Sequence, residues 1–148
     1  MGSKSKVYFF FDNTRVSLNN RTELKKFIEF IFKKEKKRLA GLNYIFCSDK
    51  RLLEINQQYL AHNYYTDIIT FDLSEKIGEI NGEIYVSVDR IRDNAKTGGY
   101  SFSNELLRVI FHGILHLCGY GDKKKEERVL MREKEDFYIH KYLDQRST

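Results

Sequence analysis

The chain has 148 residues, 41% of them hydrophobic and 32% charged, with a formal net charge of +5. That length holds one domain with a real core and is short for two, and the composition excludes an intrinsically disordered chain. The longest apolar stretch near the amino terminus, Val7 to Phe11, is too short for a signal peptide core, and no run approaches a membrane span.

Two cysteines, Cys47 and Cys118, cannot build a disulfide framework, so a cytoplasmic protein with reduced thiols is expected. The modest basic excess is compatible with a polyanionic partner such as RNA, and equally with a surface kept basic for solubility.

Val7 to Phe11 reads as a short strand closed by Asp12 and Asn13. Residues 22–38 have helical spacing, with Leu24, Phe27, Ile28 and Ile31 on one side. The run Lys33-Lys34-Glu35-Lys36-Lys37-Arg38 reads as that helix's solvated end, its cations at the negative pole of the dipole, or as a binding patch. A strand follows over Leu42 to Cys47. Ser48 or Asp49 caps a helix carrying Leu52, Leu53, Ile55, Asn56 and Tyr59. Strands are expected over Ile68 to Leu73 and Gly82 to Val88. Asp89 then caps a short helix ending near Gly98 and Gly99, a fourth helix runs from Ser101 or Ser103 to about Cys118, and a fifth spans roughly 124–143. The order β-α-β-α-β-β-α-α-α predicts an α+β fold over residues 1–148: one small mixed sheet of about four strands covered by about five helices.

The fourth helix carries the chemistry. Leu106, Leu107, Val109, Ile110, Phe111, Ile114, Leu115 and Leu117 make it apolar almost all round, which predicts burial. Against that background Glu105, Arg108, His112 and His116 share one stripe, since residues four apart nearly eclipse. Two imidazoles one turn apart can converge on one divalent ion, and burial favours their neutral, lone-pair-bearing form. Gly113 costs helix stability, about 1 kcal/mol relative to alanine, so its missing side chain serves either substrate approach or close packing. Gly119 can end the helix in the left-handed conformation and swing the chain back. Asp122 then falls where it can be a third ligand, or the N-cap of the last helix. Three protein ligands would leave the open position of a catalytic zinc site. Cys118, beside the motif, reads as a small buried hydrophobe.

The stretch HGILHLCGYGD resembles the H-G-x-L-H-L-x-G-Y-D-H signature of the YbeY family of bacterial endoribonucleases and ribosomal RNA maturation factors. Ile55-Asn56-Gln-Gln-Tyr59 followed by Thr66-Asp67-Ile-Ile-Thr-Phe71 resembles that family's L-N-x-x-Y-R…P-T-D-V-L-S-F block, and Gly82-Glu83-Ile84-Tyr85-Val86-Ser87 its G-D-I-x-I-S strand. The similarity spans roughly residues 42–143. It implies a zincin-like metal helix with one zinc ion on His112, His116 and Asp122, and single-strand-directed ribonuclease activity. It also implies a role in small-subunit ribosomal RNA maturation and ribosome quality control, with the small ribosomal subunit as partner. Neither a membrane nor a particular oligomeric state is implied.

The chain departs from the pattern at position 122, where Asp stands for the third histidine, at Gly121, where the family has Asp, and at Leu60, where the family has arginine. Arg108 is the candidate replacement for that arginine as a catalytic phosphate contact, or else pairs with Glu105. Tyr64 and Tyr65 are candidates for base stacking or for packing, and Lys123, Lys124 and Lys125 for phosphate contact or a solvated helix start. His62 and His140 read as surface residues, His62 within reach of a cleft.

Two other functions fit parts of the pattern. A zinc peptidase shares the histidine spacing but needs glutamate where Gly113 stands. A non-catalytic ribosome assembly factor with a structural metal fits the changes at Leu60 and Asp122.

Overall fold

Alternation along the strands decides which face of the sheet is covered by what. The computed structural model of the protein describes residues 4–147, so residues 1–3 and 148 of the expected domain lie outside the described residues. Its elements are β1 (Val7–Phe11), α1 (Arg21–Lys34), β2 (Arg38–Cys47), α2 (Asp49–Leu60), β3 (Ile68–Asp72), β4 (Glu79–Ser87), α3 (Val88–Gly98), α4 (Phe102–Leu117) and α5 (Lys125–Ser147). The sheet order is β1-β2-β4-β3, with β2 parallel to both β1 and β4, and β3 antiparallel to β4. This is the expected α+β architecture.

Leu39, Leu42, Tyr44 and Phe46 on β2, with Ile80, Ile84 and Val86 on β4, turn toward one large core shared with α1, α4 and α5. A smaller cluster of Cys47, Leu52, Ile55 and Ile69 lies on the other side, under α2. α4 is therefore enclosed, and nine of its residues are buried. The Tyr44 hydroxyl donates to the Ile110 carbonyl at 2.8 Å, fixing the middle of α4 over β2.

Serines set the starts of α2, α3 and α4. Ser48, Ser87 and Ser101 accept from the backbone N–H three residues on, at Arg51, Arg90 and Asn104. Asp89 is thus not the cap of α3. It lies inside the first turn, and its Oδ2 accepts from the Asp49 N–H at 2.9 Å.

The basic run after α1 differs from expectation. The helix ends at Lys34, Lys36 takes a left-handed φ of 59°, and β2 begins at Arg38, four residues earlier than the apolar pattern indicated. Two backbone bonds close this turn, Lys36 N–H to Lys33 O at 3.0 Å and Lys37 N–H to Phe32 O at 2.8 Å, which return the chain at once into the sheet. Glu35, the one acid of the run, is not solvated, its side chain being only 8% exposed. It accepts from the Tyr120 hydroxyl at 2.6 Å, from the Tyr138 hydroxyl, and from Lys134 Nζ at 3.3 Å. Burial pushes its pKa up, but these donors outweigh burial and hold it below the ordinary 4.5.

A carboxyl with a lowered folded pKa stabilises the fold above its unfolded pKa, and that stability is lost as pH falls through the folded value. Glu35→Gln should therefore cost about 2 kcal/mol in urea unfolding at pH 7, the usual scale for hydrogen bonds to a charged group. The gap to wild type should shrink as pH drops below about 4.5. An equal gap at pH 7 and pH 3 would contradict the ionised role.

Candidate metal centre

The stripe expected on α4 is present: Glu105, Arg108, His112 and His116 are the partly exposed positions among residues 105–117, where every other residue is buried. The two rings stand edge to face with centroids 4.5 Å apart. Each turns Nδ1 away from the gap. His112 Nδ1 lies 2.7 Å from Glu135 Oε2, and His116 Nδ1 lies 2.9 Å from the Tyr120 carbonyl oxygen. Both partners accept, so Nδ1 donates and the Nε2 lone pair of each ring is left facing the gap.

Asp122 completes the set. Its Oδ2 is 3.3 Å from His112 Nε2 and 3.3 Å from His116 Nε2. All three donor atoms lie within 4.8 Å of one another. A tetrahedral zinc ion with bonds of about 2.0–2.1 Å has donor–donor edges of about 3.3 Å, so these residues fit the ion.

The turn that delivers Asp122 follows from Gly119, whose φ is +106°. Its N–H reaches His116 O and the Tyr120 N–H reaches Leu115 O, both at 3.0 Å, the double bond pattern of a glycine-terminated helix. The same turn aims the Tyr120 carbonyl at His116. The capping alternative for Asp122 does not hold, because α5 begins only at Lys125. Glu127 reaches back instead, accepting from the Lys124 N–H at 2.9 Å. A Cβ at Gly121 would meet the Glu127 carboxylate, which would have to swing away from its bond to the Lys124 N–H.

Of the two roles expected for Arg108, the pairing with Glu105 is not formed: Nη1 donates to Glu135 Oε1 at 2.9 Å and Nη2 to Asp136 Oδ1 at 2.7 Å, and the side chain lines a hollow beside the site. The guanidinium thus anchors the carboxylate that orients His112, a positioning role behind the ligand. Burial opposes protonation of His112, as expected, while the hydrogen bond and charge of Glu135, then Asp122 and Asp67, raise its pKa above the ordinary value. These carboxylates make the pocket electronegative. Cys118 stays outside the donor set, its buried thiol pushed up to about 12.

The Nε2 atoms open onto a cleft of about 530 Å³ lined by α2's end, the following loop and β3. Leu60, His62, Tyr64 and Asp67 are on its wall with His112, His116 and Asp122. His62 therefore does reach the cleft, and Tyr64, 56% exposed, stacks on it at 5.1 Å. Tyr65 is also exposed and lies under the Arg90 guanidinium at 5.3 Å, so neither tyrosine is core packing. Lys123, Lys124, Lys125 and His140 are exposed. An adjoining hollow of about 380 Å³ shares Asp67, His112 and Asp122 and adds Arg128 and Arg132 from α5.

The model of the family described as Endoribonuclease YbeY matches residues 10–143. The chain belongs to the YbeY family. It is 49% identical over 130 residues to the Endoribonuclease YbeY of Cytophaga hutchinsonii, covering 88% of this chain and 91% of that one. It is 53% identical over 100 residues to that of Bacteroides thetaiotaomicron, covering 68% and 72%. The solution structure of TM1509 from Thermotoga maritima is similar at a TM-score of 0.63 and 32% identity, over 94% of this chain and 90% of that one. The YbeY match thus reaches back through α1 into β1, further than the motifs quoted above.

Four residues of this site were not singled out by their chemistry in the sequence. Glu135 left a readable signal: it lies on the apolar stripe of α5 between Met131 and Tyr138, where an acid needs a partner. Asp67 sits within the matched Thr66-Asp67 motif. Burial raises its pKa, against the lowering effect of His112. Arg128 and Arg132 left no signal, because nothing in an exposed helical arginine says which wall it will line.

Glu135→Gln keeps the shape but removes the charge that orients His112 and holds Arg108. It should weaken zinc binding by about 10- to 100-fold in a chelator competition titration, the usual cost of losing a ligand's supporting carboxylate. Unchanged zinc affinity in a variant that melts normally would remove Glu135 from the site.

Proposed function

We propose that the chain is a metal-dependent, single-strand-directed endoribonuclease that holds one zinc ion on His112, His116 and Asp122. Its substrate is small-subunit ribosomal RNA during maturation and quality control, and its partner the small ribosomal subunit, with residues 1–148 acting as one hydrolase domain. The observation that carries the reading is the pair of Nε2 atoms, each 3.3 Å from the Asp122 carboxylate, at the floor of an open cleft. Membership of the YbeY family supports it.

Zinc bound there supplies Lewis acidity toward a phosphoryl oxygen and toward water. The chain's own groups do the rest. Arg128 and Arg132 line the hollow beside the donors together with Arg108, and this cationic wall neutralises the phosphate backbone. Tyr64, with His62 stacked against it, offers an aromatic face to an unpaired base, which a duplex cannot present. The Asp67 carboxyl, on the wall shared by cleft and hollow, is placed to move a proton beside the reacting phosphate. Asp136 and Glu135 hold Arg108, and through Glu135 the His112 ring keeps its orientation.

A non-catalytic assembly role has one observation in its favour, Leu60 on the cleft wall where the family pattern has arginine. Peptide hydrolysis has none. The glutamate it requires would stand at Gly113, which faces Ile84 and Ile68 of the sheet rather than the cleft.

His112→Ala, or a chelator, should lower the rate of single-stranded RNA cleavage by at least about 100-fold, as loss of a group supplying several kcal/mol of transition-state stabilisation requires. Duplex RNA should resist cleavage by the wild type. If wild-type protein loaded with zinc cleaves no faster than His112→Ala, the nuclease reading fails. Salt-sensitive co-sedimentation with small subunits that survives in that variant would then favour the assembly role.

A further inference from the structure

Away from the metal cleft, two stretches of the chain, one at Lys6 and one running from α1 into β2, bring cations to one groove. Lys6 precedes β1, Lys26 and Lys33 lie on α1, Lys36 and Lys37 form the turn after it, and Arg38 opens β2. All six are exposed around a groove of about 780 Å³, whose wall also carries Phe30. The one carboxylate in the lining, Glu29, accepts from the Ser5 hydroxyl at 3.3 Å. Among the described residues none of the five lysines has an acidic partner within 4.0 Å, and Arg38, 79% exposed, meets only Glu79 at 3.7 Å. Elsewhere on the molecule exposed or partly exposed arginines are paired: Arg51 with Asp12 and Glu54, Arg90 with Asp49, Arg146 with Glu23.

Concentrated, unneutralised positive charge is self-repelling, and solubility alone is served as well by dispersed charge. The backbone also departs from the usual choice here. Lys36 occupies the left-handed position where helices normally end in glycine, at a cost of roughly 1 kcal/mol for a residue with a Cβ. The turn is tied to the metal site by two side-chain bonds in series. Glu35, in the middle of the lysines, accepts from the Tyr120 hydroxyl, and the Tyr120 carbonyl accepts from His116.

We propose that this groove is a second RNA-binding surface, an anchoring site for the phosphate backbone of an RNA whose single-stranded part enters the metal cleft. The choice of RNA over another polyanion rests on the nuclease reading, while the groove's affinity for phosphates rests on its charge alone. Lysines suit such a role because each contacts phosphate as a point charge without reading the base. Phe30, with Lys141 Nζ 5.7 Å from its ring, adds a partly covered aromatic face.

The test compares wild type with Lys33→Gln/Lys36→Gln/Lys37→Gln and with Lys76→Gln/Lys96→Gln, which removes exposed positive charge outside the groove. The probe is fluorescein-labelled 2′-O-methyl polyuridine, which resists cleavage, titrated between about 50 and 200 mM salt. The groove variant should bind about 10- to 100-fold more weakly, with a log affinity against log salt slope shallower by about 2, since each lost contact to a single strand removes about 0.7. Lys6→Gln/Lys26→Gln, on different segments, should weaken binding in the same direction, which a local unfolding of the turn would not reproduce. Equal losses in the groove and control variants, or wild-type affinity and slope in the groove variant, overturn the proposal. So does a loss confined to phosphatidylserine vesicles. Weakened RNA binding in the groove variant of a protein that cleaves nothing would support the groove while removing the nuclease reading.

Discussion

A helix can lie on a sheet only as closely as its facing side chains permit, and at Gly113 α4 presents none. A Cβ there would stand 2.8 Å from Ile84 Cδ1 and 3.0 Å from Ile68 Cδ1, inside the distance that real side chains tolerate. The close seat fixes the height and rotation of α4 over β3 and β4, and the Tyr44 bond to the Ile110 carbonyl pins the turn before it. With the apolar faces committed to the sheet, α1 and α5, the stripe bearing His112 and His116 has one direction left, toward the cleft beside β3. The same contact settles what the glycine is for: it serves packing rather than substrate approach.

Two rings on a helix are not yet a metal site, because an imidazole can rotate and can carry its proton on either nitrogen. Here each Nδ1 is occupied by a fixed acceptor from another part of the chain. Glu135 comes from α5 and is held by Arg108, while the Tyr120 carbonyl comes from the turn that Gly119 opens. Tautomer and orientation are therefore decided before any ion arrives, which is the general service of outer-sphere groups to metal ligands. Glu35 extends the same logic outward by fastening Tyr120, Tyr138 and Lys134 in one buried knot.

Charge is distributed to match. The cleft floor gathers Asp67, Asp122 and Glu135 around His112, favourable to a cation and unfavourable to an unescorted phosphate. The cations stand at its margins, Arg128 and Arg132 on α5, with the lysine groove beyond the Glu35 knot. On the proposed reading, this arrangement would draw an anionic polymer in at the periphery, with negative charge only where a metal ion would neutralise it.

The residue pattern by itself determined the order of the nine elements, the burial of α4, the stripe of four polar residues on it and the turn at Gly119. These depend on local periodicity and backbone preference, which neighbouring residues carry between them. The motif likewise pointed to His112, His116 and Asp122, and the resemblance to the YbeY family rested on such local strings. Only the tertiary structure decided that Asp122 faces the rings while Glu127 caps α5, that Arg108 is tied to Glu135 and Asp136, and that the basic run after α1 folds around a buried Glu35. It also brought Lys6 beside the basic run of α1 and β2 to form the lysine groove, and put Arg128 and Arg132 beside the cleft. Those outcomes depend on which elements meet. A side chain with several possible partners is assigned its role by packing between residues far apart in the chain, and no short window of sequence contains that information.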